Sequence, residues 1–378
     1  MRSNHDLDPE LASQHQLPGQ VVLVFQGGGA LGSYQAGVYQ ALHEASIEPD
    51  WVIGTSIGAI NASLIAGNRR CDRMARLEEF WKRVEARPTW DFGGVSPGFS
   101  DALSNWSTMV GGIPSFFQPN PLAHLGTHLP IGSEQAGYYS TTPLEKTLTE
   151  LVDFGRINGE GPRFTVGAAN VRTSEMRYFD SRTSTISVRH VLASGALPPA
   201  FPAIRIDGEL YWDGGVLSNT PTEIVFDDFP RRDALIFAAH MWNPAGPEPE
   251  SIGEVLHRHK DIQYSSRISS HVVRQKQTHR LRHVISQLAA RLSDEERNSD
   301  AVKQLAAFGC TTRMHVVQLL APRLGRETHA KDIDFSRAGI RQRWEAGFEH
   351  TRYMLEKKPW QGEFDPLEGV ILHERTMD

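Results

Sequence analysis

Apolar positions along the chain alternate between two periods, one of strands and one of helices. Val21-Val22-Leu23-Val24-Phe25 is an unbroken apolar run between Gly19 and the triplet Gly27-Gly28-Gly29. A run this short, apolar at every position and bounded by glycines, predicts a strand buried on both faces. Beyond the glycines, Leu31, Tyr34, Val38, Leu42 and Ala45 recur at helical spacing, and Pro49 marks the far side of the connection. Trp51-Val52-Ile53 predicts a second strand, and Gly54-Thr55-Ser56-Ile57-Gly58 follows it. Ala59, Ile60, Ala62, Leu64, Ile65 and Ala66 then predict a helix with Gly67 as its C-cap. Strand, helix, strand, helix in this order implies a parallel α/β sheet with right-handed crossovers.

The texture changes from Pro88 to Leu144. Glycine, proline, serine and aromatics such as Trp90, Phe99, Trp106, Phe116, Phe117 and Tyr139 replace any period, without a single lysine or arginine. Surface loops normally carry solvating charge, so this stretch is expected to act as a cap over an apolar cleft; a packed segment that completes the core is the competing expectation. Strand character returns at residues 164–170 and 176–179. Ile204-Arg205-Ile206 and Glu209-Leu210-Tyr211-Trp212 flank Asp207-Gly208, the signal of a hairpin with a primed turn. Residues 234–239 and 314–320 predict two further buried strands, and residues 340–355 a helix.

Between Gly253 and Arg291 eight basic residues face only Glu254 and Asp261, a local excess of six positive charges. Ile268, Val272, Leu281, Val284, Ile285, Leu288 and Leu292 are expected to form the apolar side of a docked helix, with the basic side in solvent or against anionic lipid headgroups. The whole chain nevertheless carries a net charge of −6 over 378 residues, which argues against a nucleic-acid binder. An apolar share of 39% and a charged share of 22% are those of a globular protein able to bury its own core. Two cysteines, Cys71 and Cys310, can build neither a disulfide framework nor a four-cysteine zinc site, so a reducing, cytoplasmic setting is expected. Residues 1–19 lack an apolar run and read as a disordered leader, and no stretch is apolar for long enough to span a bilayer.

Three short elements could carry chemistry. Gly27-Gly28-Gly29-Ala30-Leu31-Gly32 opens a helix after a strand, where bare backbone amides at a positive helix end suit an anion. The same spacing fits a dinucleotide fingerprint, so a nucleotide-dependent oxidoreductase is one reading. Against it, the second strand ends in Gly54-Thr55-Ser56, where a ribose-binding acid would be needed, and Asp50 stands at the wrong end. Gly54-Thr55-Ser56-Ile57-Gly58 is a G-x-S-x-G pentapeptide in the strand-to-helix context of a nucleophile elbow, which outweighs the competing reading of Ser56 as a plain N-cap. Asp213-Gly214-Gly215 ends the hairpin's second strand and offers a carboxylate as base. His240, after the strand at 234–239, keeps a serine–histidine arrangement open.

In the order and spacing of these elements, together with residues 193–202 (Ala-Ser-Gly-Ala-Leu-Pro-Pro-Ala-Phe-Pro), the sequence resembles the patatin-like phospholipase family over roughly residues 20–245. The resemblance implies a three-layer α/β/α fold with a mostly parallel central sheet, here followed by a helix-rich extension over residues 246–378. It implies a cofactor-free, metal-independent serine acyl hydrolase of lipid esters, with Ser56 as nucleophile and Asp213 as general base. It also implies an oxyanion hole from the amides of Gly27, Gly28, Gly29 and Ala30, with Gly32, Gly54, Gly58, Gly214 and Gly215 as motif glycines. Leu31 departs from the family, which often has a basic residue there. A non-catalytic lipid-surface protein using residues 253–291 remains the alternative from outside enzymology.

Overall fold

A computed structural model describes residues 17–86, 112–265, 268–324 and 330–375. The leader through residue 16 and residues 88–111 of the cap-like segment lie outside the described residues. Strand β1 (Gln20–Phe25) runs at the centre of a nine-stranded sheet, between β2 (Trp51–Gly54) and β7 (Ala234–His240), and is parallel to both. Its side chains divide by parity. Val21, Leu23 and Phe25 enter one core, and Val22 and Val24 a second core with Ile53, Ile236 and Phe226. A strand apolar at every position fits a sheet covered on both faces, which is the α/β/α layering.

The sheet continues from β2 to β3 (Arg163–Asn170), which β4 (Met176–Asp180) flanks in antiparallel register. Hairpin strands β5 (Ile204–Ile206) and β6 (Glu209–Asp213) complete that side. Asp207 and Gly208 both have positive φ, 49° and 86°, as the expected primed turn requires. β7 is followed outward by β8 (Met314–Leu320) and β9 (Val370–Glu374), both parallel to it.

Both outer strands of this edge come from beyond residue 245. Residues beyond it are helix-rich, yet they also supply two strands of the one sheet. Helix α6 (Arg337–Lys357) packs along α1 (Ser33–Glu44), where Tyr34 Oη bonds His350 Nδ1 at 2.8 Å and Trp344 donates to Gln40 at 2.6 Å. The C-terminal third therefore completes the core begun by the first helix.

The phase expected for the basic helix needs correction. In α5 (Ile268–Ala290) the inward face carries Val272, His279 and His283, spaced as one stripe, whereas Leu281 and Leu288 are 65% and 58% exposed. Polar partners decide this phase: His283 bonds the backbone oxygens of Pro366 and Thr312, and the His279 ring packs on Phe226. Imidazoles serve those acceptors where leucines would leave them unpaired. No helix among the described residues is long and apolar enough to cross a membrane.

Candidate active site

The register of β3 explains how two residues far apart in sequence meet. β2 pairs with its first half (Gly54 opposite Val166), and β6 pairs antiparallel with its second half (Asp213 opposite Ala168). β4 overlaps both stretches, so it must hold the other edge, and β2 and β6 share one edge. They run toward each other along it. Their C-terminal ends face across a two-residue gap in the register, and Ser56 and Asp213 are the residues at that gap.

Ser56 links β2 to α2 (Ile57–Ala66) with φ 56° and ψ −125°, a region in which a non-glycine residue is strained. Close packing enforces this shape. A Cβ at Gly54 would overlap the Gly58 carbonyl, and one at Gly58 the Phe25 carbonyl, so only glycines admit the turn. The Ser56 amide donates to Ser194 Oγ at 3.0 Å, and the Asp213 amide to the Ala196 carbonyl at 3.0 Å. One short segment, at the end of α3 (Val188–Ser194), thus ties down both residues.

Asp213 is 2% exposed. Burial pushes its carboxyl up from 3.8 to about 7, opposed by hydrogen bonds from the Ser56 side chain and the Gly215 amide, the latter 2.7 Å from Oδ1. A hydroxyl and a carboxylate that titrates near neutrality are therefore in hydrogen-bond contact. His240, the other base considered, ends β7 away from this contact. Its ring is buried, its pKa is lowered to about 4 by burial, and neither nitrogen has a partner among the described residues. No histidine among the described residues lines the cavity at Ser56.

The glycine loop corrects one expectation. The Ala30 amide donates to the Asp332 carbonyl at 2.8 Å, and the Gly27 amide to Asn219 through its Oδ1 at 3.1 Å. Both donors are occupied because the loop is laced to two other segments. Gly28 and Gly29, which line the cavity, are left with amides that meet no acceptor among the described residues. Gly32 lies deeper, its carbonyl accepting from Asn61, and Leu31 packs in the core.

Asn219 was not singled out by sequence reasoning. Its amide group bonds Gly27 through both N–H and C=O, and its oxygen sits against the Cα atoms of Gly27 and Gly215. Lying six residues beyond Asp213, it couples the carboxylate's turn to the glycine loop. Trp242 Nε1 holds the Gly27 carbonyl at 2.8 Å, and Gln26 reaches across to the amides of Met241 and Trp242.

The cavity in front of these groups measures about 360 Å³. Ile60, Phe116, Phe117, Leu144 and Phe201 form its apolar side, so the described end of the cap-like segment does line an apolar cleft. Lys260, Tyr264 and Asp332, all from beyond residue 245, also line it. The Tyr264 hydroxyl is held above its usual range by burial and by the charges of Asp213 and Asp332.

A family profile described as patatin-like phospholipase matches residues 23–226, and a second, described as patatin phospholipase, matches residues 262–367. Lysophospholipase nte1 of Aspergillus terreus is 56% identical over 202 residues, covering 53% of this chain and 10% of that protein. Patatin-like phospholipase domain-containing protein 6 of Mus musculus is 40% identical over 209 residues, covering 54% and 12%. The chain spans about a tenth of the length of the curated relatives it matches. Among solved structures, VipD from Legionella pneumophila is 17% identical, with 90% of this chain and 67% of that chain covered at a TM-score of 0.42. The first profile alone spans more than half of the chain and takes in the glycine loop, Ser56 and Asp213 in a single match. On that extent, the chain belongs to the patatin-like phospholipase family.

Proposed function

We propose that the protein is a serine acyl hydrolase of lipid carboxylic esters, working through a Ser56–Asp213 dyad. Asp213 takes the Ser56 proton as Oγ attacks the ester carbonyl, and returns it to the departing alcohol oxygen. Water then attacks the acyl-serine with Asp213 again as base, releasing the fatty acid. The amides of Gly28 and Gly29, which meet no acceptor among the described residues, supply the donors for the oxyanion that forms in both steps; one such donor is typically worth about 3 kcal/mol in the transition state. The aromatic side of the cavity takes the acyl chain.

The observation that carries this reading is the contact between a strained serine hydroxyl and a carboxyl with a pKa of about 7, at the mouth of an apolar cavity. Relatives named lysophospholipase support a lipid ester as substrate class. A dinucleotide role is disfavoured, because the Gly27 and Ala30 amides that would cradle a pyrophosphate are already bonded within the chain. The test is labelling with a fluorophosphonate followed by a panel of lipid esters. Wild type is expected to label and hydrolyse, and Ser56→Ala to do neither while keeping its fold. Equal turnover by Ser56→Ala would overturn the dyad.

Contact with an anionic membrane surface belongs to the same proposal. Helix α4 (Ile252–Ser265) exposes Ile252, Val255, Leu256 and Ile262 at helical spacing, and α5 exposes Val273, Leu281 and Leu288, among the basic residues of 253–291. An exposed apolar stripe with positive neighbours fits lipid tails and anionic headgroups together. Binding to phosphatidylserine vesicles should weaken as salt is raised; binding indifferent to salt would refute the electrostatic part.

A further inference from the structure

Two lysine–aspartate dipeptides, Lys260-Asp261 and Lys331-Asp332, stand 71 positions apart in sequence and pair crosswise. Lys260 Nζ meets both Asp332 carboxylate oxygens at 2.7 and 2.9 Å, and Lys331 Nζ meets Asp261 Oδ1 at 2.7 Å. The inner pair is buried, with Lys331 3% and Asp261 1% exposed, while the outer pair is reached by solvent. Arg323 and His257 add longer contacts to Asp261, and the Lys331 ammonium lies 5.0 Å over the Trp242 ring. These bonds fasten the segment at residues 330–335 to α4.

What that segment touches gives the pairing its meaning. Its Asp332 carbonyl accepts the Ala30 amide, and a Cβ at Gly29, whose φ is +56°, would overlap that same oxygen. Backbone therefore lies directly on backbone where the glycine loop lines the cavity. On the other side of the loop, α4 is tied by the Tyr264 carbonyl, which accepts from the side chains of Gln26 and Asn219. Gly27, Gly28 and Gly29 have no side chains with which to hold the shape of this stretch.

We propose that Lys260, Asp261, Lys331 and Asp332 are positioning residues that clamp residues 330–335 against the glycine loop and so fix the oxyanion-binding amides of Gly28 and Gly29. The inference rests on the hydrolase reading above and extends it to residues outside the match at 23–226. A buried carboxylate met by Lys331, Arg323 and His257 is a costly way to add stability, but a geometrically defined one, and oxyanion stabilisation depends on geometry. Loosening the clamp displaces the amides without removing any reacting group.

The experiment uses the full chain, with Lys331→Met for the inner pair, Lys260→Gln for the outer pair, and the charge exchange Lys260→Asp/Asp332→Lys. The probe substrate is p-nitrophenyl butyrate, which has no headgroup, and the second readout is the rate of fluorophosphonate labelling of Ser56. Displacement of preorganised amides should lower kcat and the labelling rate together, by about tenfold or more, with KM within about twofold and the pH midpoint unmoved. The charge exchange should recover most of the loss shown by Lys260→Gln. If Lys331→Met fails to fold, the outer pair carries the test, since both its members are partly exposed. Wild-type kcat and labelling rate in Lys260→Gln and in any folded Lys331→Met would overturn the clamp, as would a rise in KM alone. Failure of wild type itself to label at Ser56 would instead overturn the hydrolase reading.

Discussion

Asp213 is buried, and its carboxyl titrates at about 7 where the ordinary value is 3.8. Between roughly pH 4 and pH 7 the folded chain thus binds a proton that the unfolded chain has already lost. Because the folded value is the higher one, this proton's contribution to stability is complete below about pH 4 and is gone once the pH has risen through about 7. Applied to these two values, the linkage relation gives a loss of about 3 kcal/mol between pH 5 and pH 8. Asp213→Asn abolishes the titration and keeps an acceptor oxygen for the Gly215 amide. Urea unfolding of wild type and variant at the two pH values should show the stability of Asp213→Asn, relative to wild type, rising by about 3 kcal/mol at the higher pH. In the same range kcat/KM of wild type should climb about tenfold per pH unit below 7 and level off above it, since only the carboxylate can accept the serine proton. A stability difference that ignores pH, or a rate that is flat across the range, would refute the reasoning.

Ser56→Gly should raise stability by about 1 kcal/mol in denaturant unfolding while ending turnover, because glycine relieves the strain at φ 56°; a loss of stability would show that the elbow is not strained. Asn219→Ala should cost about 1–3 kcal/mol and lower kcat more than it raises KM, since it removes two side-chain bonds to Gly27 and leaves its amide only the Asn219 backbone oxygen and its carbonyl only Trp242 Nε1; unaltered kcat would separate the loop from this tether. Leu144→Trp should depress hydrolysis of long-chain esters relative to butyrate by filling the apolar side of the cavity, and an unchanged chain-length profile would place the acyl chain elsewhere.

The central strands were legible because burial on both faces leaves no polar position in residues 21–25 and 234–239. The elbow was legible because Gly54 and Gly58 are demanded by local crowding, and the primed turn because Asp207 and Gly208 supply two positive φ values. Helix α5 was misread for a physical reason. Its inward stripe carries His283, which serves the carbonyls of Pro366 and Thr312, and hydrophobicity alone gives no sign of such partners. The acceptor of the Ala30 amide is equally invisible to a local pattern, since it is a backbone oxygen 302 residues along the chain. Asn219 and the crossed lysine–aspartate pairs look like ordinary polar residues in the sequence, and distinguish themselves only by what they touch.

Local chemistry, then, is written in the order of residues. Which strands are buried, where the chain must turn tightly, and which hydroxyl and carboxyl stand at strand ends all follow from steric and solvation rules acting over a few positions. Tertiary structure alone decided that β2 and β6 share one edge of β3, that two of four loop amides meet no acceptor among the described residues, and that residues of the C-terminal third line the cavity. Burial that lifts the Asp213 carboxyl toward neutrality belongs to the same category, since desolvation is a property of everything packed around a group and of no segment by itself.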